Sequence, residues 1–404
     1  SSQLAPEDFE QYFEELNGTA PFPWQSLLAR DVLSGRVWPE VLSAPTSAGK
    51  TAVLDIAVFH LALEASRPPG SRSAPRRIFF VIDRRLVVDE AFERAKGIAA
   101  KLQQAIQGPS GIMRSVAEAL LSLGGTRPLH AVRMRGGMYR DDSWTSSPAQ
   151  PTICVSTVDQ VGSRLLFRGY GVSEFMRPIH AGLVGSDSLF IVDEAHLSRP
   201  FLDSLRRVGQ YRGNEWAENP IDSPFSVVRM SATLEGGKSW LTNADRRHAV
   251  LGPRLSANKL ARLEQLAVGA DEQEDSIREN LAQRLAEAAR VLTESLQNNI
   301  DTPVVGIVVN RVATARRTFE LLEDASAESG DAILLTGRVR PFDRDLLLEK
   351  WLPRMAAGRE DAPPDAGPLF VIATQTIEVG ANLDFDGMIT EAAPMDALRQ
   401  RFGR

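Results

Sequence analysis

Short apolar runs alternate along this chain with longer stretches of mixed, helix-compatible sequence. The runs fall at 41–43, 78–82, 152–156, 189–192 and 226–230. Strand-length runs separated by helical stretches predict an α/β fold on a parallel sheet. A second set follows at 304–309, 332–335, 369–373 and 387–390. Between the two sets, residues 255–300 are rich in Leu, Ala, Glu, Gln and Arg at helical spacing, which predicts connecting helices. The expected division is a first domain over 1–250, a helical connector over 251–302 and a second domain over 303–404. Two segments, 66–75 and 358–368, read as loops from their Gly, Pro and Ser content.

Composition sharpens this picture in a few places. A length of 404 residues with 43% hydrophobic content accommodates two or three domains with sizeable cores. The sequence has no apolar run of 18 residues, so no membrane helix is expected, and nothing at its start resembles a signal peptide. Cys154 is the one cysteine, which excludes an internal disulfide, favours the reducing cytoplasm and suits a core position. The net charge of −6 does not advertise nucleic-acid binding. Arginines nevertheless cluster at 72, 76, 77, 84 and 85, and again at 133, 135 and 140. Such clusters suit either a local strand-binding groove or a solvated face. The chain stops at Arg404, which leaves the second domain short of its expected last elements and suggests a fragment of a longer protein.

Chemistry enters at the ends of the strands. After 41–43 comes Ala44-Pro45-Thr46-Ser47-Ala48-Gly49-Lys50-Thr51. This is a phosphate-binding loop whose backbone N–H groups and following helix N-terminus cradle phosphates. Lys50 is placed to reach the β- and γ-phosphates of ATP and Thr51 to offer its hydroxyl to Mg2+. Ala44 replaces the usual first glycine, and Ser47 stands where glycine is common. The run 189–192 leads into Asp193-Glu194-Ala195-His196, a DEAH box. Asp193 suits magnesium binding, Glu194 suits activation of water, and His196 suits coupling to the strand-moving parts. Upstream, Phe22-Pro23-Trp24-Gln25 places Gln25 to read an adenine edge with an aromatic residue stacking nearby; an ordinary aromatic anchor before a helix is the plainer alternative.

Ser231-Ala232-Thr233 follows another apolar run, and its hydroxyls suit bonds to the DEAH segment. The stretch from Thr374 and Gln375 through Glu378, Gly380 and Asp384 offers hydroxyl and amide groups to a sugar–phosphate backbone and an acidic end to the nucleotide. Gln400-Arg401-Phe402-Gly403-Arg404 supplies guanidinium groups able to neutralise charge on a γ-phosphate. Arg84, Arg85, Arg135, Gly136 and Thr157 in the first domain are candidate contacts to a nucleic-acid backbone, as are Asn310, Arg311, Thr336 and Arg338 in the second. Helix caps and surface ion pairs are the alternatives for each.

In this order the motifs resemble those of a superfamily 2 DExH helicase over nearly the whole chain. A finer resemblance is to the CRISPR-associated helicase–nuclease of type I systems. It rests on Asp83-Arg84-Arg85-Leu86-Val87-Val88, on 156–166, and on Asp193-Glu194-Ala195-His196-Leu197-Ser198 followed by Pro200-Phe201. The Phe22-Pro23-Trp24-Gln25 segment and Thr336-Gly337-Arg338 look most like the I-U (I-G) branch. The resemblance implies two tandem RecA-like domains, the second incomplete. It implies recruitment to a CRISPR surveillance complex of the Cascade type and ATP-driven 3′ to 5′ movement on single-stranded DNA, which is fed to an HD nuclease. None of the five histidines is followed by Asp, so that nuclease is expected outside this chain. A DExH helicase of DNA repair or restriction shares every core motif, and an ATP-gated clamp with little turnover is the alternative from another class.

Overall fold

The structure is a computed structural model and describes residues 4–403 other than 36, 46–47, 83–84, 137–141, 196–197, 217, 221, 232–239, 258, 268–272, 324–329, 338, 357–358, 360–365 and 376–382. The chain divides into two compact units, Ser1–Ala257 and Asn258–Arg404.

The first unit is built on six strands: β1 Val41–Ser43, β2 Arg77–Ile82, β3 His130–Met134, β4 Thr152–Thr157, β5 Ser188–Asp193 and β6 Phe225–Ser231. They lie in the order β1-β6-β5-β2-β4-β3, and every pairing is parallel. β2 and β4 are buried at every position, which is why Ile78–Ile82 and Ile153–Val155 run apolar without alternating. On one face, Phe79 and Phe190 stack with ring centroids 5.0 Å apart, and Trp144 meets Phe79 edge-on. β3 is an addition to the strands expected. It sits at the sheet edge, and its His-Ala-Val-Arg-Met sequence buries only Val132 and Met134, too polar a pattern to stand out.

The second unit carries β7 Val304–Val308, β8 Asp331–Leu335, β9 Leu369–Ala373 and β10 Gly387–Thr390, parallel in the order β10-β7-β9-β8. The helical stretch expected as a connector includes the helix Glu274–Leu296, and this helix lies on the second sheet. Leu285, Ala286 and Ala289 share a buried cluster with Val305, Ile307 and Phe370. Its apolar stripe is therefore covered by the sheet, each buried Leu contributing about 1.5–3 kcal/mol. No helix among the described residues is long and apolar enough to cross a membrane.

Parallel pairing sends all strand C-termini of one sheet to the same edge, where open α/β sheets bind ligands. The register sets Ser43 opposite Ser231 and Asp193 opposite Met230. The ends of β1, β6 and β5 thus come level with one another.

Candidate nucleotide site

The loop leaving β1 turns at Gly49, whose φ of +75° is left-handed and suits glycine. A Cβ there would lie 2.8 Å from Gln25 Nε2 and 3.4 Å from the Phe22 ring. Lys50 and Thr51 open a single 3-10 turn that passes into the helix Val53–Leu63, which is buried at ten of its eleven residues. The phosphate loop is therefore anchored on its helix side by core packing.

At the level of this loop, β5 delivers two carboxylates. Lys50 Nζ lies 3.3 Å from Glu194 Oε1 and 3.8 Å from Asp193 Oδ1. All three side chains are nearly buried, at 11% exposure for Lys50, 13% for Asp193 and 8% for Glu194. The Ser231 hydroxyl donates to Glu194 Oε2 over 3.0 Å, so the end of β6 grips the carboxylate that Lys50 faces. Glu194 itself has φ +47°, unusual for a residue with a Cβ. Such backbone concentrates at functional sites, where the surroundings hold a costly conformation. Its N–H donates to Asp193 Oδ1 over 3.1 Å.

The donor set suits a magnesium–nucleotide. One carboxylate from Asp193 and one hydroxyl from Thr51 are the few protein ligands magnesium takes when phosphates and water supply the rest. A cation, the Lys50 ammonium, already lies between the two carboxylates. Thr46, Ser47, His196 and Thr233 lie outside the described residues.

Trp24 and Gln25 occupy places that the sequence does not reveal. Trp24 has no exposed surface, and its indole N–H donates to the Ala48 carbonyl over 3.0 Å. It holds the phosphate loop from behind, and Phe22 is the aromatic ring that borders Gly49. Gln25 is buried; its Nε2 donates to the Gly49 carbonyl over 3.0 Å, and its Oε1 accepts the Phe22 N–H over 2.8 Å. The Trp24 N–H donates to Asp245 Oδ1 over 2.9 Å. Asp245 is a residue that the motifs do not single out. Thr242-Asn-Ala-Asp245 does carry the capping-box spacing that marks a helix start, but nothing in it points to a partner 221 positions away.

The candidate nucleic-acid contacts divide. Gly136 and Thr157 follow β3 and end β4, at the same edge as the phosphate loop. Arg135 is 8% exposed and ion-paired to Asp89 at 2.6 Å; Arg133 pairs with the same carboxylate at 2.8 Å. A surface-facing role was expected for Arg135, yet burial and this pair make it a brace between β3 and the helix Arg85–Ala105. Arg84 and the side chain of Arg85 lie outside the described residues.

In the second unit, Asn310, Thr336 and Thr374 gather at the C-terminal edge of the sheet, with Gln375 exposed beside them. Arg311 is exposed and pairs with Glu274. Arg401, expected at a γ-phosphate, is 1% exposed. Its guanidinium donates to Thr390 Oγ1 at 2.6 Å, the Glu391 carbonyl at 2.8 Å and Asn310 Oδ1 at 2.9 Å. These bonds tie the ends of β7 and β10 together. Gln400 is buried, and Asp384 stands exposed near Arg359, 3.9 Å away. Arg338, Glu378, Gly380 and Arg404 lie outside the described residues.

Comparison with known proteins gives this geometry a context. Residues 301–404 match the family model described as CRISPR-associated nuclease/helicase Cas3, C-terminal. A CRISPR-associated nuclease/helicase Cas3 of Streptococcus thermophilus is 24% identical over 98% of this chain and 42% of its own length. The crystal structure of T. fusca Cas3–AMPPNP matches with TM-score 0.57 and 18% identity over 97% of this chain and 44% of that one. A chain of a CRISPR RNA-guided surveillance complex in its pre-nicking state matches with TM-score 0.52 and 18% identity over 95% of this chain and 42% of its own. The chain thus spans less than half the length of these relatives. The fold of its units is RecA-like.

Proposed function

We propose that this Cas3-type helicase part is an ATP-driven motor on single-stranded DNA, acting in CRISPR interference. The observation that carries the reading is the convergence of Lys50, Asp193, Glu194 and Ser231 at the level ends of β1, β5 and β6. Each group has a task in cleaving a triphosphate. The ammonium of Lys50 leaves the carboxylates for the β- and γ-phosphates when ATP enters. Asp193 and Thr51 would hold magnesium, which when bound would neutralise phosphate charge. Glu194 accepts a proton from the attacking water, and the Ser231 hydroxyl fixes the rotamer in which it does so. Gln25 and Trp24 keep the loop carbonyls turned away from the phosphates, leaving backbone N–H groups to face them. Gly136, Thr157, Asn310, Thr336, Thr374 and Gln375 are the groups proposed to hold a strand by its backbone.

The structural likeness to a chain of a CRISPR RNA-guided surveillance complex supports a partner of that type for this chain. The nuclease/helicase relatives support a nuclease working with this motor, supplied outside the present sequence. The single cysteine, Cys154, supports a site of action in the reducing cytoplasm.

The test is steady-state ATP hydrolysis with magnesium, with and without single-stranded DNA and with RNA in parallel, using Glu194→Gln as control. Stimulation by DNA that the mutant abolishes supports the motor. Turnover by the mutant equal to that of the parent removes Glu194 from the chemistry, and stimulation by RNA alone removes DNA as substrate.

A further inference from the structure

We infer that the short turn at 242–248 is a positioning element of the nucleotide site, with Asp245 its central residue. The inference deepens the proposed nucleotide site and rests on it.

Two separate contacts run from this turn to the phosphate loop. Asp245, with no exposed surface, accepts the Trp24 N–H at Oδ1, and Trp24 passes the constraint on through its indole N–H to the Ala48 carbonyl. The other Asp245 oxygen accepts the N–H and the hydroxyl of Thr242, each at 2.7 Å, so the carboxylate cannot swing away from Trp24 without losing both. Three residues on, the His248 ring meets Phe22 edge-on, with centroids 5.0 Å apart. His248 Nδ1 accepts the N–H groups of Val250 and Leu251, which fixes the ring plane and puts its proton on Nε2. Phe22 in turn borders Gly49. Both aromatic residues of Phe22-Pro23-Trp24 are thus held by one turn, at two points, while they hold the loop.

The turn also follows β6 in the chain. Ser231, at the end of β6, bonds Glu194, and 242–248 comes eleven residues later. One continuous segment therefore restrains the water-activating carboxylate at its start and the phosphate loop at its end. A capping box needs only Thr242 and Asp245 bonded to each other; the bond to Trp24 is additional to what helix initiation requires. Asp245 touches no reacting atom and acts through Trp24.

The test uses the full chain and titrates a fluorescent ATP analogue, then measures KM and kcat for MgATP. Trp24→Phe keeps the aromatic core and removes the indole N–H; benzothienylalanine at position 24 removes only that N–H. One such bond corresponds to roughly tenfold in affinity. The expected result is a Kd and KM about tenfold higher in both variants, with kcat at saturation within about twofold of the parent. Asp245→Ala should follow the same pattern, whereas Thr242→Val, which keeps the Trp24 contact, should move KM less. A loss confined to kcat, with KM unchanged in variants whose thermal melts match the parent, refutes positioning. Unchanged KM in the benzothienylalanine variant overturns the inference while leaving the nucleotide site standing. A parent chain that fails to bind the analogue overturns the site itself.

Discussion

Replacing Glu194 by Gln is the sharpest perturbation of the proposed chemistry. The amide is isosteric, keeps an oxygen to accept the Ser231 hydroxyl 3.0 Å away, and removes only the charge and the proton-accepting capacity. The ion pair lost is Lys50–Glu194 at 3.3 Å, whose gross Coulomb term at an effective dielectric constant of about 20 is roughly 5 kcal/mol. Little of this is expected as lost stability. Desolvation already offsets much of it, and Lys50 retains Asp193 at 3.8 Å. Lys50 is also held less tightly against the carboxylates, and one negative charge beside the phosphates is gone. The affinity for ATP should therefore be equal to or greater than that of the parent. Removing a positioned general base lowers turnover by about 10²–10⁴-fold. Coupled-enzyme hydrolysis gives kcat, and titration of a fluorescent ATP analogue gives Kd. A kcat within a fewfold of the parent would refute the role of Glu194. A large loss of affinity would refute the account of its charge.

Three further outcomes are expected. Gly49→Ala forces a Cβ to 2.8 Å from Gln25 Nε2 on a left-handed backbone, so about 1–2 kcal/mol of stability and most nucleotide affinity should be lost together, read by thermal melting and titration. Arg94→Ala removes the cation paired to Asp55, a carboxylate with no exposed surface, and should cost about 3–5 kcal/mol at neutral pH. Burial pushes the Asp55 carboxyl up from its ordinary value, against the opposing pull of Arg94 and the Asn17 hydrogen bond. A raised carboxyl favours the folded state while protonated and ceases to do so as pH rises through its folded pKa, so the deficit of Arg94→Ala should grow with rising pH; denaturant melts giving a deficit that shrinks would contradict this. Arg401→Lys replaces a fork serving three acceptors with a single ammonium and should destabilise the second unit by about 2–4 kcal/mol, whereas full stability with impaired hydrolysis would return Arg401 to a catalytic role.

Two parallel sheets were legible in the sequence, as were the turn at Gly49 and the place of Asp193 and Glu194 at the end of a strand, because these features are local. A continuous apolar run specifies a buried strand, and a Gly-Lys-Thr after such a run specifies a loop from its own backbone chemistry. The sequence assigned Lys50 to phosphates and Glu194 to water; that the two side chains meet, at 3.3 Å, is a finding of the structure, which follows because strand ends in a parallel sheet share an edge. Long side chains were a different matter. Arg135 and Arg401 carry the composition of ligand-facing groups, yet Asp89 and the Asn310–Thr390 edge bury them as braces. Trp24 reads as a nucleotide contact by position, yet its indole faces the core and its N–H serves Ala48. Asp245 reads as a cap, and only folding brings it to Trp24. The amino-acid sequence determined where each strand ends and which backbone turns follow, because periodicity and φ preferences act within a few residues. Tertiary structure alone decided which guanidinium, indole and carboxylate face a ligand and which face one another, because a buried polar group takes whatever partner the packed chain puts within about 3 Å.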